Sequence, residues 1–255
     1  MWDEVARLYR ETRKRDEHYW TKYVSRPFAA AVVHALSSTR VTPNQVTLLA
    51  FLTSLGGAAA MVGWRSWAGL LCAVGIYQVA YILDCADGML ARKRQIASPI
   101  GHLMDFLFDE IKAVVFFGAV AVRLCLIHDD ALFAMVGVGG VALVSAGLSL
   151  TTFTRRPEYP APQAAAEPAD GAGEGGQGGP KPRRSPLRRL IGLVEWGAKQ
   201  IINYPTYVVY LALVDRIDLY YWAFIGVYLL YTARTFLQVA LKLGRFAPAS
   251  TQTGA

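Results

Sequence analysis

Four carboxylates, Asp84, Asp87, Asp105 and Asp109, fall in one stretch that follows directly on apolar residues numerous enough to cross a membrane. Asp84 and Asp87 are three residues apart and share a face of one helix. Gly101, Asp105 and Asp109 are spaced by four and share a face of the next. Between them, RKRQIASP carries basic residues that suit a helix end, then Ser98 and Pro99, which suit a helix start. The spacing predicts two antiparallel neighbouring helices whose carboxylates converge. Four like charges near a membrane interface repel one another and are costly at that depth, so something positive must compensate them. Ligands that are all oxygen select hard divalent cations, Mg2+, Mn2+ or Ca2+, over zinc or copper. Four carboxylates suit a pair of such ions bridged by shared ligands, which neutralises the charge developing in phosphoryl transfer.

Gly88 follows Asp87, Ala91 lies a turn further on, and Gly101 lies one turn before Asp105, so that surface has no bulk and an extended ligand can approach the backbone. Arg92, at the mouth, is placed to hold a phosphate oxygen. Singly, these residues have plainer uses, since small residues pack membrane helices and an arginine at a helix end anchors it at the interface. Their joint spacing with the aspartates is what points to a site.

The elements that must position these groups are apolar helices. Of the 255 residues 54% are hydrophobic, and residues 41 to 64, 66 to 83 and 131 to 154 carry no charged side chain and are each close to a membrane span in length. Residues 99 to 127, about 196 to 214 and about 218 to 243 are weaker candidates, interrupted by the acidic cluster with Lys112 and Arg123, or by Arg234. A backbone in lipid must satisfy its own hydrogen bonds, so all six read as helices. The expected fold is an all-α membrane protein, a six-transmembrane-helix bundle preceded by an N-terminal amphipathic surface helix.

Residues 3 to 24 mix charges with Val5, Leu8, Tyr9 and Tyr19 and read as that surface helix rather than a solvated arm, with Arg26 and Pro27 breaking the run. Residues 28 to 38 read as a short interfacial helix. The expected organisation is 1–40 cytoplasmic and interfacial, 41–153 the first four spans with the motif, 154–190 a cytoplasmic linker, 191–245 the last two spans and 246–255 a tail. Within the linker, the Pro-, Gly- and Ala-rich residues 157 to 186 read as disordered.

Lys and Arg are concentrated before residue 40, in the turn at 92 to 94, in the linker and in the tail, whereas the opposite loops hold only Arg65 and Arg216. The positive-inside rule puts the acidic cluster and both termini in the cytoplasm, in a multi-pass protein of the cell (inner) membrane. Trp64, Trp67, Tyr220, Tyr221 and Trp222 read as an outer aromatic belt. Topology and anionic lipid explain the formal net charge of +7, so no nucleic-acid partner is implied. Cys72, Cys85 and Cys125 have no paired spacing and suggest neither a disulfide nor a zinc site, and no cleavable signal peptide is visible.

Asp84, Asp87, Gly88, Ala91, Arg92, Gly101, Asp105 and Asp109, at the spacing they have here, resemble the signature of the CDP-alcohol phosphotransferases, also called CDP-alcohol phosphatidyltransferases. Thr42, Pro43, Asn44 and Thr47 are similar to that family's entry to its first span. The resemblance implies a membrane enzyme of phospholipid biosynthesis that moves a substituted phosphate from a CDP-linked alcohol to an acceptor hydroxyl and releases CMP. It implies that Asp84, Asp87, Asp105 and Asp109 hold divalent cations, two Mg2+ or Mn2+ ions, and that Asp105 and Asp109 are catalytic, Asp109 as general base. It implies that Asp84, Gly88, Ala91, Arg92 and Gly101 line the CDP site with Asn44 nearby, and that the protein is a homodimer. Gly137, Gly139, Gly140 and Gly147 offer small surfaces for such a contact.

A site at membrane depth is needed only where a substrate is anchored there, so the expected donor is CDP-diacylglycerol. Lys112, one turn beyond Asp109, with Arg155, Arg156 and Arg234 near the same depth, would form a pocket for a phosphorylated acceptor such as inositol phosphate or glycerol phosphate. The plainer reading of these four is as cytoplasmic-end anchors. The runner-up is transfer from a soluble CDP-alcohol to a lipid alcohol such as diacylglycerol. A cation transporter is a more distant alternative, disfavoured because the cluster sits at one end of two helices and no inverted repeat is visible.

Overall fold

The computed structural model describes residues 2–12, 19–154 and 204–243, and among these every regular element is helical. In chain order they are α1 (Trp2–Thr12), a π-helical turn (Thr21–Ser25) running into α2 (Arg26–Ser37), α3 (Pro43–Gly63), α4 (Trp67–Lys93), α5 (Pro99–His128), α6 (Ala131–Thr154), α7 (Tyr204–Leu213) and α8 (Ile217–Leu243). Five of them, α3, α4, α5, α6 and α8, are long and apolar enough to cross a membrane, so the chain is an integral membrane protein. α7 is the described part of the stretch expected as the fifth span, and its ten residues do not qualify. The rest of that stretch, the linker beyond Thr154 and the tail lie outside the described residues.

Sequence-encoded caps place the helix starts. Pro43 stands at the first position of α3, and Thr42 and Gln45 form a reciprocal capping box: Gln45 N donates to Thr42 Oγ1 and Thr42 N to Gln45 Oε1. Ser66 Oγ accepts from Gly69 N at the start of α4, and Ser98 Oγ accepts from Gly101 N at the start of α5. Arg26 and Pro27 do not interrupt the N-terminal run as expected. Pro27 has no N–H to donate, but the chain stays helical by widening for one turn, with Arg26 N bonding to Thr21 O. The apolar side of α1 is also not turned only to lipid, because Val5 and Leu8 are buried in a cluster with Ala29, Val33, Met89 and Leu90 of α2 and α4.

α3 and α4 pack along their length, with Gly57 admitting the Tyr77 ring to about 2.8 Å of where a side chain would start. α5 packs on α3 and α6, and α6 on α8. The expected contact between α4 and α5 is different in kind: their backbones scarcely touch, while α3 lies against both. α4 and α5 therefore stand apart, and their side chains meet across the gap, Lys112 with Asp84 and Phe116 with Tyr77. α4 also links two apolar clusters. Leu70, Ala73, Val74 and Tyr77 belong to one, with Phe116, Phe117 and Phe224; Ala86, Met89 and Leu90 belong to the other. The residues between, 78 to 85, are largely apolar, and Asp84 is the one charged side chain among them.

The expected aromatic belt is only partly present. Trp64, Trp67 and Trp222 are exposed, whereas Tyr220 and Tyr221 are core residues, Tyr221 stacking on Phe117 and donating to Phe133 O at 2.7 Å. Three of the four α6 glycines serve contacts within the chain: Gly137 faces Ala121, Gly140 faces Phe117 and Gly147 faces Thr232, while Gly139 faces open space.

Two arginines tie backbone together. Arg94 reaches back from the end of α4 to the carbonyls of Leu36, Thr39 and Val41, fixing the elbow between α2 and α3. Arg123, 1% exposed in α5, donates to the carbonyls of Met61, Trp64, Arg65 and Ser66 where α3 ends and α4 begins. Ser66 O also accepts from Leu70 N, whereas the end of α3 leaves the Met61 and Trp64 carbonyls without an intrahelical partner. Arg123→Leu should strand them and cost about 2–4 kcal/mol, read as a lower thermal midpoint of the purified protein in detergent; an unchanged midpoint would show that they do not depend on this side chain.

Candidate active site

Three helices converge on one cleft of about 680 Å³. α4 brings Asp84, Asp87, Gly88, Ala91 and Arg92, α5 brings Gly101, Asp105 and Asp109, and the start of α3 brings Asn44 and Thr47. The cleft thus gathers every residue the motif singled out. It is deep, because Asp84 lies nine residues before the end of α4, roughly 14 Å along a helix.

Asp84, Asp105 and Asp109 each offer a carboxylate oxygen within 4.8 Å of the others. Asp87, 5% exposed, borders the same cleft outside this trio, its Oδ2 accepting from the buried Thr47 Oγ1 at 2.5 Å. Lys112 donates to Asp84 Oδ1, and its Nζ lies 2.6 Å from Asp109 Oδ1. Among the described residues the converging group is made of carboxylates alone, which suits a hard divalent cation, and nearby Asp87 is oriented by a hydroxyl, the kind of outer support that ligating carboxylates need.

Arg92 folds back along its own helix, its guanidinium 3.4 Å from where a Cβ on Gly88 would stand. The space that Gly88 leaves is thereby roofed by a cation. At Gly101 a Cβ would meet Ser98 Oγ at 3.2 Å and Asn44 Oδ1 at 3.9 Å. Gly101 therefore lets the starts of α3 and α5 approach without disturbing the Ser98 cap.

A smaller cavity of about 210 Å³ adjoins the cleft, with Asp84, Asp109, Lys112, Tyr77, Gln78 and Tyr81 among its walls. Tyr81 borders both spaces, its hydroxyl hydrogen-bonded with Thr21 Oγ1 of the π-helical turn at 2.7 Å, while Trp20 donates to Gln78 Oε1 at 3.0 Å. The N-terminal turn is in this way part of the site.

Of the four basic residues expected to meet an acceptor phosphate, Lys112 borders the smaller cavity but is engaged by two carboxylates. Arg234 is exposed on α8 and borders neither space, and Arg155 and Arg156 lie outside the described residues. Sequence reasoning missed Arg26, Thr21, His102 and Tyr81. Arg26 is 4% exposed and borders the cleft, though its place beside Pro27 suggested only a helix break. Tyr81 did carry a signal, standing one turn before Asp84 on the same face.

Comparison with known proteins agrees with the motif. The description of the CDP-alcohol phosphatidyltransferases matches residues 40–172, just over half of the chain. Among curated proteins, the bifunctional IPC transferase and DIPP synthase of Archaeoglobus fulgidus is 33% identical over 122 residues, 48% of this chain and 22% of that protein. Cholinephosphotransferase 1 of Bos taurus is 30% identical over 109 residues, 39% of this chain and 26% of that protein. The inner membrane protein YnjF of Escherichia coli K12 is 28% identical over 138 residues, 52% of this chain and 65% of that protein. The match thus spans about a quarter of the length of the first two relatives and under two thirds of the third.

Thr47→Val keeps the side-chain shape and removes the hydrogen bond to Asp87. It should weaken Mn2+ binding about tenfold, measured as free Mn2+ by electron paramagnetic resonance, with the thermal midpoint little changed; wild-type affinity would show that Thr47 does not support the ligand set.

Proposed function

The chain belongs to the CDP-alcohol phosphatidyltransferase family, and on that premise we propose that it transfers a substituted phosphate from a CDP-linked alcohol to an acceptor hydroxyl, releasing CMP, at the cleft between α4 and α5. The observation that carries this reading is that all eight motif residues border a single cleft, with three of their carboxylate oxygens within 4.8 Å of one another.

Asp84, Asp87, Asp105 and Asp109 are the ligands for two divalent cations, Mg2+ or Mn2+. Held there, such ions would supply Lewis-acid stabilisation of the diphosphate and of CMP as leaving group. Arg92, roofing Gly88, holds phosphate oxygens of the donor, and Ala91, Gly101 and Asn44 border the nucleotide. Asp109, between the cleft and the smaller cavity, accepts the proton of the acceptor hydroxyl as that oxygen bonds to phosphorus and the bond from phosphorus to the CMP oxygen breaks. Asp105 holds the geometry opposite it.

The donor is CDP-diacylglycerol and the acceptor a polyol phosphate such as inositol phosphate or glycerol phosphate. This is supported by the depth of the carboxylates and by the cations around the two spaces, Arg26, Arg92 and Lys112. Transfer from a soluble CDP-alcohol to a lipid alcohol such as diacylglycerol is the second reading, favoured by the tyrosine-rich wall of the smaller cavity and by the likeness to a cholinephosphotransferase. On either reading the cleft and both termini face the cytoplasm, in the inner membrane, and the protein works as a homodimer. The Lys and Arg distribution supports the orientation.

The test is CMP release by the purified full-length protein with Mg2+ or Mn2+, supplied with CDP-diacylglycerol or soluble CDP-alcohols against polyol phosphates and diacylglycerol. CMP should form with one donor and acceptor pair, and Asp105→Asn should lower the rate by roughly a thousandfold or more without changing monodispersity. No CMP with any pair, or wild-type turnover in the variant, would overturn the assignment. Asp109→Asn should still bind the donor yet fail to transfer; full transfer would remove the base role.

A further inference from the structure

Lys112 is 6% exposed, and its ammonium is held by Asp84 Oδ1 and Asp109 Oδ1. These residues are two of the three whose oxygens converge within 4.8 Å. The ammonium and a divalent cation are therefore rivals for the same carboxylates. A lysine head is a compact charge on a flexible stem, so it can swing without moving its helix. It also has somewhere to go. Lys112 borders the smaller cavity, where Tyr77 Oη is buried and makes no hydrogen bond among the described residues, and where Glu110 and Gln78 lie on the same walls. A phenol oxygen accepts a hydrogen bond from an ammonium, and a carboxylate pairs with one.

We propose that Lys112 is a positioning residue that acts as a built-in counter-cation: it shares Asp84 and Asp109 with the divalent ions, lowers the affinity of the site for them, and turns its ammonium toward Tyr77 and Glu110 when they bind. The inference rests on the divalent-ion reading above. Carboxylates at this depth without a counter-charge are costly, so the lysine keeps the bundle folded. A divalent ion on the same carboxylates repels the ammonium strongly at a few ångströms, so the ammonium turns away when the ion binds. The site then neither needs an ion to fold nor holds one so firmly that its ligands are locked.

The test is Mn2+ binding to full-length protein in detergent without substrates, read by electron paramagnetic resonance, together with the thermal midpoint with and without Mn2+. Lys112→Met should bind Mn2+ roughly tenfold more tightly or better, melt lower than wild type without the ion and gain more from adding it. Lys112→Arg, which keeps the charge, should bind Mn2+ within a few-fold of wild type. Equal or weaker Mn2+ binding in a monodisperse Lys112→Met overturns the proposal. A Lys112→Met that is monodisperse only with Mn2+ is the strong form of the expected result, whereas one that aggregates in both conditions contradicts it, because the ion then fails to replace the lysine. Wild type that holds Mn2+ but releases no CMP contradicts the transferase reading and leaves this one intact. Wild type that releases CMP while Lys112→Met binds Mn2+ no more tightly does the reverse.

Discussion

Charge placed at membrane depth has to be met by opposite charge, and the architecture around α4 and α5 follows from how this is done for Asp84 and Asp109. Asp84 leaves 15% of its side chain exposed, and Lys112 leaves 7%. Neither would be tolerated alone in such surroundings, where removing one partner of a buried pair typically costs about 3–5 kcal/mol. The pair bridges α4 and α5 where their backbones stand apart. Phe116 and Tyr77 close the gap one layer further in, edge to face at 4.4 Å.

The opposite end of the bundle shows the same economy of charge with a different outcome. Arg123 is a cation inside a span, which in a membrane protein points first to function. Here its partners are four backbone carbonyls at the turn between α3 and α4. It finishes a helix end that has no side-chain cap of its own. Arg94 does the like for the elbow between α2 and α3, and so indirectly sets where Asn44 and Thr47 enter the cleft. Arg123, which in the sequence only interrupts a span, and Arg94, which there only adds to a basic turn, are thus backbone fasteners.

What could be read in the sequence was whatever depends on local spacing. The apolar runs gave the five long helices to within a few residues, apart from α4, which continues unbroken past Asp84 to Lys93. Ser98 and Pro99 marked the start of α5, and the three- and four-residue intervals placed the carboxylates on facing sides. What was not legible depends on contacts far apart in the chain. Nothing in the order of residues tells that Arg26 will be buried at the cleft, that Thr21 will hold Tyr81, or that Tyr220 and Tyr221 will leave the interface for the core beside Phe116 and Phe117. The sequence marks Lys112 as a cation near Asp109, whereas its engagement with Asp84 of another helix appears only when α4 and α5 are set side by side. The spacing of these two helices is of the same kind, because it shows only once α3 is seen packed against both.

The most direct test of this account is to see where the ions sit. Crystals of the full-length protein grown with Mn2+ should show anomalous density among the carboxylates of Asp84, Asp105 and Asp109, with the Lys112 ammonium displaced toward Tyr77. Anomalous density elsewhere, or ions absent from these carboxylates with Lys112 still bridging Asp84 and Asp109 at saturating Mn2+, would contradict it.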